Sequence, residues 1–163
     1  MDVEAPNFNA MVSTLLEGQL ADMKAFLTPV LLLVCWTLIM WLWMYLTRIP
    51  AMQKAQVDPD AAASKSAGYL DELLPYNVRC VADNYNHLHE QPTIFYALMM
   101  FTALTGGATD MMMYLAYAYV ILRVVHTFIQ VVLRKIIIRF FIFTLSSLVL
   151  FVMAGIEVFR VFL

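Results

Sequence analysis

The stretch from Ala25 to Leu46 contains no charged residue and includes the run LLLVCWTLIMWLWMYL. A helix that crosses a bilayer needs about 20 mainly apolar residues, so this stretch is long enough to cross as one helix. The whole chain agrees, because 63% of its 163 residues are hydrophobic and only 13% are charged. Soluble domains are roughly 45–50% apolar and about 25% charged. A soluble protein of this size could not bury so much apolar surface, and the sequence therefore predicts an all-α membrane protein.

Three further segments are helical by length and pattern, which predicts one four-transmembrane-helix bundle over residues 25–163. The expected spans are residues 25–47, 77–104, 111–133 and 138–160. Residues 1–24 form an N-terminal amphipathic segment, in which Val12, Leu15, Leu16, Leu20 and Met23 recur at helical spacing. This segment is either a short helix on the membrane surface or a simple extension of the first span. The polar loop from Arg48 to Pro75 ends in YLDELLP, where we expect a single helical turn.

The second span has a polar first half. The apolar run from Pro92 to Leu104 is too short to cross alone, but a helix that starts near Asn77 is long enough at about 1.5 Å per residue. Its polar residues therefore belong to the helix. Four of them fall on one narrow face at about 100° per residue, with His87 at its edge. This stripe of the second span consists of Arg79, Asp83, Asn86 and Glu90.

The third span carries a second stripe with the same spacing. It consists of Tyr119, Arg123, His126 and Gln130, and Arg134 extends it. A charge at the centre of a membrane helix costs roughly 2.5–3.5 kcal/mol, so such residues usually face a bundle interior, a partner or a water-filled cavity. Two stripes on neighbouring helices predict a shared polar site. The alternative is structural: Arg79 could neutralise Asp83, and Glu90 could pair with Arg123 to join the helices.

Charge and cysteine content narrow the class of function. A net charge of -2 gives no support for a nucleic-acid partner. Cys35 and Cys80 lack metal or redox spacing and are expected to be packing residues. No compact ligand motif accompanies His87 and His126, so we predict no metal.

Lysine and arginine placement predicts the orientation in the membrane. The first loop region has Arg48, Lys54 and Lys65, and the third has Arg134, Lys135 and Arg139. The second loop has none. Loops rich in Lys and Arg face the cytoplasm, so the first and third loops are expected there, with both termini outside.

Three segments resemble the MAPEG family, the membrane-associated proteins of eicosanoid and glutathione metabolism. YLTRIP, RCVADNYNHLHEQP and LRVVHTF are similar to the first, second and third helices of microsomal glutathione transferases. NHLHEQPTIFYAL looks like the bacterial branch, which implies the inner membrane of a bacterium. The resemblance also implies a homotrimer of four-helix bundles, with glutathione bound between neighbouring subunits near the cytoplasmic face.

The resemblance carries particular residues with it. Arg48, Arg79, Asn86 and Glu90 match glutathione-contacting positions, and Arg123 and His126 match the family's third-helix pair. Gln130 stands where some members have Tyr, and the resemblance implies that it also contacts glutathione. Arg139 lies near the place where the leukotriene-forming synthases have a further Arg. The family usually has Asn three residues before Glu, and here that position is His87, so His87 is a second candidate for the contact of Asn86.

Glutathione suits these residues chemically. Arginines bind its two carboxylates as bidentate forks, and Glu90 could take its ammonium. A free Cys thiol has a pKa of about 8.5, and a fixed guanidinium in a low-dielectric site favours the reactive thiolate. Arg123 is the first candidate for this catalytic role and Arg139 the second, while His126 or Tyr119 could donate a hydrogen bond to the sulfur. The predicted function is a membrane glutathione transferase or peroxidase that acts on a lipophilic electrophile or lipid hydroperoxide from the bilayer.

Other functions remain open at this stage. A non-catalytic family member could keep the fold as a lipid-binding or scaffold protein. The stripes could also seal a helix interface in a small subunit of a larger membrane complex. An ion or proton carrier with Glu90 and Asp83 as relay groups ranks last, because the chain has no internal inverted repeat.

Overall fold

The architecture is helical throughout the part of the chain that the computed structural model describes, namely residues 8–58, 60, 62, 65 and 69–163. No strand occurs in these residues, and the all-α class is confirmed. The elements are α1 (Phe8–Lys54), α2 (Tyr69–Leu73), α3 (Tyr76–Leu104), α4 (Asp110–Phe128) with a π-helical segment (Ile129–Leu133), and α5 (Ile136–Phe162).

Helix α1 is longer than the predicted first span, with 47 residues. From Phe8 it runs without a break into the first span, so the described part of the N-terminal amphipathic segment continues that helix. Residues 1–7 of the segment lie outside the described residues. Its other end also extends further: Arg48 lies inside the helix, and the prediction that the first loop begins there is wrong. Polarity alone does not end a helix, and the AMQK sequence after Pro50 consists of strong helix formers.

The shorter elements follow the sequence pattern closely. The helical turn expected in YLDELLP is confirmed as α2. Helix α3 begins at Tyr76 and has 29 residues, which confirms that the polar residues before Pro92 belong to the second helix. Thr109 caps the start of α4, where its side chain accepts a hydrogen bond from the backbone N–H of Met112.

Among the described residues, three helical stretches are long and apolar enough to cross a membrane: α1, α4 with the π segment, and α5. Helix α3 has the length but is too polar in its first half to meet the same standard. That α3 also crosses the membrane, as the second of four spans, therefore stays a prediction. The outer faces of the helices carry exposed Leu, Ile and Phe side chains, among them Leu31, Ile94 and Phe151, as a lipid-facing surface requires.

The core lies between α1, α3 and α4, with α5 packed on α4. Leu33, Met40, Phe95 and Met99 are fully buried in it. Phe95 stacks on Tyr119 with ring centroids 4.6 Å apart, which joins α3 to the polar stripe of α4.

The π segment closes α4 with one widened turn. The backbone N–H of Arg134 donates to the carbonyl of Ile129 at 2.7 Å, and Arg134 itself is left-handed with φ of 55°. The wider turn places Gln130 and Val131 in the interior. Segments of this kind occur frequently at functional sites.

Candidate active site

Arg123 is a buried cation with an incomplete set of partners. Arg123 is 1% exposed, and its Nε donates a hydrogen bond to the Tyr119 hydroxyl at 3.1 Å. Its guanidinium carbon lies 5.1 Å from the Tyr119 ring centroid and 5.0 Å from that of Phe143. Nη2 is buried without a hydrogen-bond partner, and neither ion pair of the described residues includes Arg123. Because an unpaired charge in an apolar interior is costly, this arrangement favours the binding of an anion.

A cavity of about 240 Å³ lies between α3, α4 and the first turns of α5, next to Phe143. Its lining consists of His87, His126, Ile136, Arg139, Phe140 and Phe143. The His126 ring centroid is 5.9 Å from that of Phe143, so Phe143 contacts both the cavity and Arg123. The cavity thus combines two imidazoles and a guanidinium with three apolar side chains, which suits a ligand that is polar at one end and apolar at the other.

The stripe on α3 lies mostly on the outside of the chain. Asp83, Asn86 and Glu90 are exposed, and Nδ1 of His87 lies 2.9 Å from Oε2 of Glu90. Arg79 is half-buried, and its guanidinium carbon is 5.6 Å from the Tyr76 ring centroid. Its Nε is buried without a hydrogen-bond partner among the described residues.

The structure therefore brings together only part of the predicted set. Tyr119, Arg123 and His126 meet inside the bundle, and His87 and Arg139 reach the cavity beside them. Six of the predicted glutathione contacts do not line that cavity, and Arg123 does not line it either. The six are Arg48, Arg79, Asn86, Glu90, Tyr119 and Gln130.

Sequence reasoning missed the polar residue of α3 that does contact α4. Asn84 is 1% exposed, and its Nδ2 donates to Oε1 of Gln130 at 3.2 Å. The Thr127 hydroxyl donates to Oδ1 of Asn84 at 3.0 Å and accepts from Nε1 of Trp36 at 3.3 Å. This buried amide network joins α1, α3, α4 and the π segment.

A signal for Asn84 was present in the sequence. It shares its helix face with Val81, Leu88 and Phe95, which recur at the spacing of a buried face and are all buried. The network also uses the side-chain oxygen of Gln130, which was expected to contact glutathione. Gln130 thus has a partner in its own chain.

The described residues contain no group of three or more His, Cys, Asp or Glu side chains that could hold a metal ion. Cys35 is exposed and Cys80 is buried, and both are free. The polar groups that line the cavity are the guanidinium of Arg139 and the imidazoles of His87 and His126.

Comparison with models of known protein families shows which family the chain belongs to. A family model described as the MAPEG family matches residues 26–159. The chain belongs to the MAPEG family. The predicted resemblance is thereby confirmed over most of the chain.

Membership in the MAPEG family, together with three helices that could span a membrane, makes this an integral membrane protein. The family includes glutathione transferases and other proteins of lipid metabolism, its members use glutathione, and they are usually trimeric. Searches of curated proteins and of solved structures found no significant match.

Proposed function

We propose that this MAPEG protein is a membrane glutathione transferase, or a glutathione-dependent peroxidase, that activates the thiol of glutathione as a thiolate. The observation that carries the proposal is the buried guanidinium of Arg123, with Nη2 unpartnered and with a cavity on the far side of Phe143. A buried cation without a carboxylate partner stabilises an anion that enters its surroundings.

Arg123 supplies the main electrostatic stabilisation of the thiolate in this proposal. Arg139, which lines the cavity, is the second candidate for the same role. The Tyr119 hydroxyl holds the guanidinium through Nε, and His126 lies near enough to the cavity to donate a hydrogen bond to the sulfur. Fixed donors and charges of this kind are effective because they need no rearrangement during the reaction.

The exposed stripe on α3 supports a site shared between subunits. Asn86 and Glu90 are exposed and Arg79 is half-buried, so all three are accessible to a neighbouring chain. Arg48 is half-buried near the C-terminal end of α1. In a homotrimer these residues would bind the carboxylates and the ammonium of glutathione at the interface, through bidentate and charge-assisted hydrogen bonds.

The second substrate would reach the site from the bilayer. The thiolate sulfur attacks an electrophilic carbon, a carbon–sulfur bond forms, and the leaving group departs with its electron pair. With a lipid hydroperoxide, the sulfur attacks the distal oxygen, the O–O bond breaks, and the lipid leaves as an alkoxide that takes up a proton to give the alcohol. The thiol of a second glutathione then reacts with the resulting sulfenic acid to give the disulfide and water. The apolar cavity residues Ile136, Phe140 and Phe143 suit a lipophilic substrate in either case.

The proposed setting is the inner membrane of a bacterium, with the first and third loops in the cytoplasm. The functional unit comprises residues 25–163 as a bundle of four spans with α3 as the second, and residues 1–24 are an additional amphipathic segment. The Lys and Arg residues of the first and third loop regions support this orientation.

A second candidate function is favoured by one observation. The side-chain oxygen of Gln130 is held by Asn84, so a residue expected in the glutathione site has a structural partner. A non-catalytic family member that binds lipid would keep the buried network without ionising a thiol.

The ultraviolet difference spectrum of the purified protein with glutathione tests the proposal directly. We expect a thiolate band in the unmodified chain, its loss in Arg123→Ala, and partial retention in Arg123→Lys, which preserves the positive charge. Arg139→Ala is expected to weaken the band less than Arg123→Ala. Turnover of a lipophilic electrophile should follow the same order.

Three outcomes separate the candidates. An unchanged band and unchanged turnover in Arg123→Ala would contradict the assigned role of Arg123. Binding of glutathione without any thiolate band would favour the lipid-binding alternative. If glutathione does not bind to the folded protein, the family activity does not apply to this chain.

A further inference from the structure

A second cavity lies outside the candidate active site, where α1, α3 and the π segment meet. Its volume is about 260 Å³, and we call it the end groove. Six residues of its lining matter here: Trp43, Thr47, Asn77, Val81, Val131 and Arg134. None of them has a part in the proposed glutathione chemistry.

All three elements change from apolar to polar in the same direction along this groove. On α1, Trp43 is followed one turn later by Thr47, nearer the helix end at Lys54. On α3, Val81 lies one turn deeper than Asn77, which is in the first turn of the helix. One turn corresponds to about 5.4 Å along a helix axis, so the groove has an apolar floor and a polar mouth.

The third element ends in a cation. Val131 is buried in the π segment, and Arg134 follows directly after that segment. Arg134 is exposed, and neither ion pair of the described residues, His87–Glu90 or Glu157–Arg160, involves it. Its Nε donates to the carbonyl of Val131 at 3.3 Å, which holds the side chain over the end of the segment.

The backbone of Arg134 gives a second reason to assign it a role. Its φ of 55° lies in the left-handed region, which is uncommon for residues other than glycine and costs free energy. Glycine would adopt this positive φ without strain, yet the chain has an arginine there. The arginine is explained if its cation binds something at the mouth of the groove.

We propose that the end groove binds an anionic phospholipid, with its phosphate at Arg134 and one acyl chain along Trp43, Val81 and Val131. The charge of Arg134 selects a negative headgroup, and Asn77 and Thr47 add polar side chains beside it. The apolar floor selects an amphiphile over a soluble anion. Basic pockets between membrane helices on one side of a bilayer bind anionic headgroups in this way.

Quenching of tryptophan fluorescence by brominated lipids tests the proposal on the full chain. The protein is reconstituted in phosphatidylcholine vesicles that contain a minor fraction of brominated phosphatidylglycerol or, in parallel, the same fraction of brominated phosphatidylcholine. The signal of Trp43 is the difference between the unmodified chain and Trp43→Phe. We expect the phosphatidylglycerol to quench Trp43 with about fivefold higher apparent affinity, which corresponds to the ~1 kcal/mol typical of one basic residue near an anionic surface.

Arginine variants separate the site from general surface charge. Arg134→Gln is expected to remove the fivefold preference. Arg134→Gly should remove it too, while leaving thermal stability unchanged or higher, because glycine adopts a positive φ freely. Lys54→Gln is the matched control: it removes one exposed positive charge at the same end of the bundle, outside the groove, and should keep the preference.

Three results would overturn the proposal. Equal quenching of Trp43 by the two brominated lipids would show that the groove does not select the headgroup charge, and equal losses in Arg134→Gln and Lys54→Gln would show only a general surface effect. Quenching of Trp43 by neither lipid would mean that another copy of the chain or another protein covers the groove. The readout needs no glutathione, so it is independent of the proposed enzymatic function.

Discussion

At the scale of single residues, the polar side chains inside the bundle divide into two kinds. Asn84, Thr127 and Gln130 satisfy one another, whereas Arg123 keeps one nitrogen without a partner. A satisfied network rigidifies its surroundings, and an unsatisfied charge is available to a ligand. Arg123, Thr127 and Gln130 lie within two turns of α4 and the π segment, and Asn84 joins them from α3. The network therefore supports the part of the chain that holds Arg123.

Replacing Asn84 with Ala should therefore destabilise the protein. The change leaves the side-chain oxygen of Gln130 buried without its Asn84 donor, whereas the Thr127 hydroxyl keeps the Arg123 carbonyl and the Trp36 indole as partners. We expect a loss of roughly 1–3 kcal/mol in the free energy of unfolding. Chemical unfolding in detergent micelles, followed by circular dichroism, measures this loss. Asn86→Ala is the control, since Asn86 is exposed two residues away and should change stability by less than about 0.5 kcal/mol. Equal effects of the two changes would contradict the role of the network.

At the scale of elements, the loop between α3 and α4 is held by the far end of α5. Arg160 donates from Nη1 to the carbonyl of Thr105 at 3.0 Å and from Nε to Oε2 of Glu157 at 3.1 Å. Glu157 is 3% exposed. Gly107 lies against this pair, because a Cβ at that position would be 2.8 Å from Nε of Arg160. The glycine thus allows the loop to approach the ion pair.

Gly107→Ala should break this arrangement. Arg160 can move away only by giving up hydrogen bonds, so we expect destabilisation of about 1–3 kcal/mol, the usual cost of overpacking. Gly155→Ala is a control of opposite sign: it lies within α5 with nothing within 4 Å of a new Cβ, and alanine favours a helix by about 0.8–1.0 kcal/mol over glycine. The shift of the thermal unfolding midpoint measures both. A midpoint that rises in both variants would show that Arg160 yields without loss.

At the scale of the whole molecule, α1 consists of a packed part and a projecting part. From Phe8 to Ala25 the side chains are exposed or half-buried, and the first buried side chain is Phe26. The bundle therefore owes little of its internal packing to the first turns of the helix. The apolar face there, which includes Leu15 and Leu20, is open to a membrane surface or to another protein.

A chain shortened to begin at Ala21 should keep its fold. We expect its thermal unfolding midpoint in detergent to stay within about 2–4 °C of the full chain, the shift that roughly 1 kcal/mol produces in a domain of this size. Phe26→Ala, at the first buried position, should instead cost about 3–5 kcal/mol. A large loss of stability in the shortened chain would show that the projecting part packs against something that the isolated bundle lacks.

The class of the protein and the extent of most helices could be predicted from the sequence, because they depend on local properties. Crossing a membrane requires a certain length of apolar residues, and the run from Ala25 to Leu46 meets that requirement alone. The stripe on α4 was also recognisable, since a charge such as Arg123 among apolar residues has few favourable places except the bundle interior. Tyr119, Arg123, His126 and Gln130 are all buried, as that argument requires.

Only the tertiary structure decided which face of α3 is covered. Its polar stripe and its buried face both follow helical spacing, but the buried side carries Asn84, whereas Asn86 and Glu90 remain outside. The physical reason is that periodicity gives the direction of a side chain relative to its own helix, while burial depends on which neighbouring helix packs there. The π segment was hidden for the same reason: its wide turn places Gln130 against Asn84, a residue distant in sequence, and that contact exists only after α3 and α4 have packed together.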